Sequence, residues 1–423
     1  MPIAAETETH LAHDDYDIAI VGGGLAGATQ AIALAATAGP SLRIALVDAP
    51  ASSVRGNHDP RATAISAASR QLLTAIGVWP DVAQDAQPIV KIELSDTGTD
   101  DAVRPTRLSY DNTVIGPDGA RAPAAHIVPN AALENAVQAR VHNVSSIHRV
   151  TARVTALAET STTVSLAATD RRLTARLLIA ADGRRSRIRR LSGIRATTRT
   201  HRQSACLAIV AHELPHNGIA KQHFLPGGPF ARLPLTGNRT CVTWTERTAE
   251  ATRLASLSDD AFLAELSKRF GHELGQLQLI SDRALFPLET QISRELYRGR
   301  TALVGDACRS VHPIAGQGLN LAFRDVAALT ECVVDGMRDG LDPGDRQVLA
   351  RYQRWRRFDS VMSSTAFDGL NSLFSSDLQA VRTVRELGLT AVDRLPALKR
   401  FFVTEAAGLT GEVPRLLRGK LVL

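Results

Sequence analysis

The stretch from Asp17 to Asp48 constrains this chain more than any other. DIAIV (Asp17–Val21) is a short apolar run between polar flanks, the pattern of a strand buried on both faces. It runs into Gly22-x-Gly24-x-x-Gly27. The Ala-rich segment Ala28–Ala38 then predicts a helix that stops at Gly39-Pro40. RIALVD (Arg43–Asp48) reads as a second strand ending in a carboxylate. Together these parts predict a βαβ unit. Gly22 permits the tight turn, Gly24 lets the backbone approach a pyrophosphate, and Gly27 lets helix and strand pack closely. The helix N-terminus offers free N–H groups and a positive dipole end to phosphates. Asp48 lies about twenty residues on, where an acid bonds ribose hydroxyls. A dinucleotide site follows, and the turn fits FAD and NAD equally.

Two later stretches place carboxylates in a similar way. In ARLLIAADGRRSRIRR (Ala175–Arg190) an apolar strand delivers Asp182-Gly183 at its C-terminal end, the ligand side of such sheets. Ser186 and Arg189 follow. Alone, this stretch reads equally as a β-turn with a basic surface face. In VGDACRSVHPIAGQGLNLAFRD (Val304–Asp325) the strand Ala302–Val304 ends at Gly305-Asp306. Gly316 and Gly318 allow close backbone approach. The helix after them sets Leu319, Phe323, Val326 and Val333 on one face. An ordinary Gly-capped turn before a core helix fits it too.

The remaining pattern sets the architecture. Arg61–Ile76 reads as a turn into a helix, and 130–141 as a helix with Asn130 as N-cap. Residues 148–180 read as β-ribbons and a parallel strand, 200–247 as antiparallel strands, and 258–271 as a helix. From about residue 345 the pattern is largely helical. The fold class is therefore α/β. A Rossmann-like nucleotide-binding domain (1–85, 120–195 and 285–345) is interleaved with a mostly antiparallel β-sheet substrate domain (86–119 and 196–284). C-terminal helices occupy 346–423.

Composition narrows the partners. The net charge is +6, but no Lys/Arg run is interleaved with aromatics, which make up 4%, so nucleic acid is not expected. The four cysteines form no C-x-x-C pair or zinc spacing, so no metal site is expected. Cys308 reads as a small buried hydrophobe. The N-terminus lacks the features of a signal peptide, and no run of about 18 apolar residues occurs, so a cytoplasmic location is expected.

The three motifs, in this order and separation, resemble the FAD-dependent single-component aromatic hydroxylases, the group A flavoprotein monooxygenases. Arg61–Trp79, Gly228–Leu235, His312–Val326 and Phe401–Gly419 look like the ubiquinone-biosynthesis hydroxylases, most similar to the 2-polyprenyl-6-methoxyphenol hydroxylase family. The resemblance implies that Gly22, Gly24 and Gly27 contact the FAD pyrophosphate and Asp48 the adenosine ribose. It implies Arg61 near FAD and a passing nicotinamide, and Asp182 with Gly183 linking flavin and NAD(P)H. Gly305 and Asp306 are implied at the ribityl chain. Gly316, Gly318, Leu319 and Asn320 are implied at the isoalloxazine.

No catalytic side chain is assigned, and His312 and Pro313 are expected near the flavin edge. NADPH or NADH is a transient co-substrate, since a second G-x-G-x-x-G is lacking. The implied reaction is hydroxylation of a polyprenylated phenol with O2 through a flavin C4a-hydroperoxide. A small soluble phenol as substrate, a flavin epoxidase, and a non-catalytic flavoprotein in a biosynthetic complex are the rivals. The apolar and basic C-terminal LKRFF and PRLLRGKLVL fit peripheral contact with the inner membrane or with other ubiquinone-biosynthesis proteins, or a packed helix with exposed Arg. Two departures stand out. Cys308-Arg309 replaces the common Ala-His, and Ala131 replaces an Arg often found near the flavin.

Overall fold

Burial on both faces turns the apolar runs into a parallel sheet. The computed structural model describes residues 12–50, 59–96, 105–116, 119–168, 171–225, 227–311, 316–357 and 395–422. Strand β1 (Ala12–Val21) is flanked by β2 (Ile44–Asp48) and by the strand Arg171–Ala180, both parallel to it. Ile18, Ala19, Ile20, Ile44 and Ala45 have no exposed surface. Each such Ile is worth roughly 1.5–3 kcal/mol of burial. β1 starts five residues before the expected Asp17, because its backbone pairs with the 171–180 strand from Ala12 onward. Ladder hydrogen bonds need no apolar side chain. Strand Thr301–Leu303 joins the far edge of the 171–180 strand, also parallel.

Helix α1 (Leu25–Ala38) follows β1, and Gly39 ends it with φ +87°. The segment expected as a turn into a helix holds a strand first. β3 (Ala62–Ser66) precedes α2 (Ala67–Ala75), and the Ser66 side chain caps α2 by accepting from the Ser69 N–H. β3 exists because it pairs antiparallel with Ala125–Pro129, a partner no local pattern reveals. Helix α3 (Asn130–His142) is present, but Asn130 is not its N-cap. Pro129 holds that position, and the Asn130 Oδ1 accepts from the Thr63 hydroxyl at 2.7 Å. Helices α4 (Arg187–Leu191), α5 (Thr248–Ser256), α6 (Asp259–Phe270) and α7 (Gly318–Arg338) complete the labelled set.

Among the described residues the second large sheet has nine strands, and all of its pairings but one are antiparallel. One face is closed: Cys206, Ala208, Phe230, Val242 and Trp244 pack with Leu254 of α5 and Phe262 of α6. On the other face Ile209, Leu233, Ala220 and Cys241 meet Ala62 and Ala64 of β3. One step along that face, Leu207, Thr243, Ala231, Gln222 and Leu94 lie side by side across five strands. All five are half-buried. The expected boundary at 285 falls inside strand Ala284–Ser293, which pairs into this second sheet.

The C-terminal part is helical at 346–357 and at Pro396–Ala406. Residues 410–422 are not a helix apart from the short turn Arg415–Arg418. Leu416, Leu417 and Val422 are buried, and Arg415 pairs with Glu331 and Asp335 of α7. Residues 414–422 are thus packed, with Leu416, Leu417 and Val422 turned inward.

Candidate FAD and substrate site

The first glycine turn meets each steric demand differently. A Cβ on Gly22, at φ +107°, would lie 2.4 Å from the Ala181 carbonyl oxygen. One on Gly27 would lie 1.9 Å from the Gly22 oxygen. Around Gly24 there is nothing within 4 Å, so that position faces open space. α1 has no side-chain cap and no acid in its first turn, which leaves its N-terminal N–H groups to an anion. Asp48 is exposed at the end of β2, beside the turn: its Oδ2 lies 2.7 Å from where a Gly23 Cβ would be. The Gln138 amide of α3 donates to the Gly23 oxygen at 2.7 Å, a brace the motif gave no sign of.

The second motif is folded on itself. Asp182 Oδ1 accepts from the Ser186 hydroxyl at 2.5 Å, and Oδ2 from the N–H groups of Arg187 and Ile188 at 2.7 and 3.1 Å. This carboxylate caps α4. Gly183 adopts φ +79° with open space around it. Arg189 is buried and donates to the Ala307 oxygen at 2.8 Å and to Gln291 at 3.2 Å. It ties the second motif to the third.

Gly305, at φ +60°, sits between Ala26 of α1 and Ala322 of α7, where a Cβ would come within 3.1 and 3.2 Å of their methyls. The first and third motifs therefore touch. Asp306 projects from the same turn and is exposed. Solvent reaches its side chain while protein crowds around the carboxyl. That desolvation pushes its carboxyl up, against the pull of Arg184 and Arg309. Gly316 stands at φ +60° near Ala64, and Gly318 has open space. Leu319 is half-buried against the core. Asn320 links α7 to β3: its Oδ1 accepts from the Ser66 N–H at 3.0 Å and its Nδ2 donates to the Ala64 oxygen at 2.8 Å. α7 also begins without a side-chain cap or an early acid. His312 and Pro313 lie outside the described residues.

Arg61 is held by Asp59 at 2.9 Å and faces Glu134 of α3 at 3.4 Å. Cys308 and Arg309 are buried. The Cys308 thiol approaches Asp325 Oδ2 at 3.4 Å, and Arg309 pairs with Asp325 Oδ1. Arg356 reaches the same Oδ1 at 2.8 Å, and the Gly305 N–H donates to Oδ2 at 3.2 Å. Burial opposes the Asp325 charge, but the two guanidiniums outweigh it and hold the carboxyl below its usual range. Burial, helped by Asp325, pushes the Cys308 thiol far up, so it stays protonated. Sequence reasoning gave no role to Asp325, the last residue of the Val304–Asp325 stretch, or to Arg356, which lies in no motif.

The profile of the FAD-binding-domain family matches residues 15–358. This chain belongs to the FAD-binding-domain family. FAD is its cofactor, and the open cradle at Gly24 with two uncapped helix N-termini fits that group. Among relatives, the ubiquinone hydroxylase UbiL of Rhodospirillum rubrum is 39% identical over 99% of this chain and 96% of its own length. The 3-demethoxyubiquinol 3-hydroxylase of Escherichia coli is 33% identical over 93% of this chain and 98% of its own. In fold the chain is similar to the p-nitrophenol 4-monooxygenase PnpA of Pseudomonas putida, with a TM-score of 0.77, 17% identity, and coverage of 94% and 99%.

Proposed function

We propose that this FAD-dependent monooxygenase hydroxylates the aromatic ring of a polyprenylated phenol in ubiquinone biosynthesis, using NAD(P)H and O2. The observation that supports this most is the full-length likeness to two ubiquinone-pathway hydroxylases on a chain whose three glycine motifs meet, Gly305 beside Ala26 and Arg189 on the Ala307 oxygen. When bound, FAD supplies the redox chemistry, accepting hydride and activating O2.

The chain's own residues bind, orient and exclude water. Gly22, Gly24 and Gly27 would take the pyrophosphate at the α1 N-terminus, and Asp48 the ribose. Asp306 would bond the ribityl hydroxyls, on a turn fixed by Arg189 and Asp325. The Gly316–Asn320 turn would face the isoalloxazine, where the α7 N-terminus favours negative charge. Arg61 and the Asp182-Gly183 turn would border the passing nicotinamide. The half-buried row Leu207, Thr243, Ala231, Gln222 and Leu94 offers a mostly apolar wall to a phenol ring and its tail. Keeping water from the reacting oxygen limits wasteful release of hydrogen peroxide.

Peripheral contact with the membrane that holds such a substrate belongs to the same proposal. No described helix is long and apolar enough to cross a membrane. The buried Leu416, Leu417 and Val422 do not supply the contact surface. The test is quinone profiling of a strain lacking this protein, with oxygen uptake by the purified flavoprotein. An accumulated unhydroxylated prenylphenol, and NAD(P)H-driven uptake stimulated by a prenylphenol, are expected. A normal quinone profile would overturn the pathway, and stimulation by small phenols alone would favour a soluble substrate.

A further inference from the structure

Leu94 ends the half-buried row of the second sheet, and the edge strand Leu108–Asp111 continues the wall beyond it. Leu108 stands opposite Leu94 and Tyr110 opposite Ile92, so Tyr110 projects from the same face as the row. Tyr110 and Leu94 both pack against Leu108 and Phe224. Tyr110 also packs against the cluster of Ala67, Ala124, Val403 and Ala407. It therefore stands in the corner where the wall meets α2 and the Pro396–Ala406 helix. Ala67 follows Ser66, whose N–H donates to Asn320 at the start of α7. The hydroxyl in this corner lacks what such a group ordinarily has. Tyr110 is half-buried, and its side chain forms no hydrogen bond among the described residues. Burial pushes its pKa up to about 12. The hydroxyl is thus withdrawn from water with no protein partner in exchange. Tyrosine hydroxyls in such places ordinarily find one, because an unmet donor costs free energy that phenylalanine in the same space would not. Its oxygen still keeps some exposed surface, so a ligand can reach it.

We propose that the Tyr110 hydroxyl hydrogen-bonds the phenolic oxygen of the substrate and so fixes which edge of the ring is turned towards the flavin. This rests on the substrate class proposed above. A tyrosine hydroxyl both donates to and accepts from a phenol, so the bond forms whichever oxygen supplies the proton. Leu94 and Leu108 beside it give the ring an apolar floor. Apolar surface that carries the ligand, with one placed polar group that orients it, is the usual division of labour in such sites. The hydroxyl keeps its proton well above neutral pH, so the contact is available across the working range.

The test uses the FAD-loaded protein. It is titrated with a short-tailed prenylphenol and with the matching prenylbenzene, which lacks the oxygen, and binding is read from the visible flavin spectrum. Wild type is expected to bind the phenol about tenfold tighter than the prenylbenzene. In Tyr110→Phe that preference should vanish, because the oxygen no longer has its partner. The variant's FAD content and its KM for NAD(P)H should be unchanged. Its KM for the prenylphenol should rise about tenfold, and more of the oxygen consumed should leave as hydrogen peroxide, since the ring is no longer held in place. Its melting temperature should be equal or higher. A lower one would show that the hydroxyl already has a partner within the protein, and would overturn the proposal. A phenol preference that survives in Tyr110→Phe overturns it too, and loss of that preference in Gln222→Leu instead would assign the oxygen to Gln222, which lies opposite Leu94 on the other flank. A wild type that does not respond to prenylphenol at all overturns the substrate reading, and this contact with it. A wild type that responds, matched in every readout by Tyr110→Phe, overturns the contact alone.

Discussion

Gly24 and Gly27 are three residues apart, and alanine should harm them in different ways. At Gly27 the added Cβ collides with the Gly22 backbone oxygen, so Gly27→Ala is expected to cost about 3 kcal/mol or more of stability. Urea unfolding of the apoprotein reads this. At Gly24 the space is open, so Gly24→Ala should change apoprotein stability by less than about 1 kcal/mol. Its FAD affinity should fall about tenfold or more, because the methyl occupies the approach to the pyrophosphate. Flavin fluorescence titration checks it, and equal affinity would remove the pyrophosphate from this turn. His126 offers a test by pH. It is buried against the edge of Trp79, and burial, then Arg70, lowers its pKa to about 4. The unfolded chain protonates His near 6.5. The neutral form's contribution is thus complete above about pH 6.5 and is lost as the pH falls towards 4, by about 3 kcal/mol. His126→Gln should flatten that part of the stability–pH curve.

Between elements, single polar side chains do the joining. Asp182 was expected to serve the nicotinamide side, yet its carboxylate is occupied by the first turn of α4. Asp182→Ala should therefore cost about 1–2 kcal/mol in a thermal melt before any cofactor is added. An unchanged melt would mean that the cap contributes nothing. Asn320 joins α7 to β3 through two backbone groups. The sequence marked Asn320 by its motif, but the β3 contact was not readable, because ATAIS has no clear period and its partner strand lies some sixty residues on. Asn130 failed as an N-cap for a similar reason: the hydroxyl of Thr63, remote in sequence, claims its side chain.

Across the whole molecule, the C-terminal segment closes over α7 rather than reaching outward. Leu416→Ala should cost about 2–5 kcal/mol. Deleting 410–422 should lower the melting temperature without reducing co-sedimentation with anionic vesicles. Reduced co-sedimentation of a still-folded truncation would return the membrane contact to this segment. The βαβ opening, the three glycine turns and the strand-rich middle were legible in the sequence alone. Their signals are local: backbone conformations reserved to glycine, apolar runs set by burial, and carboxylates at strand ends. Tertiary structure alone decided that Gly305 lies between Ala26 and Ala322, and that Arg189 reaches Ala307. It also decided the fate of Cys308-Arg309. Their partner Asp325, and Arg356 which shares it, stand on two different helices and meet only when those helices pack. A buried charge selects its counter-charge by distance in space, which spacing along the chain does not encode.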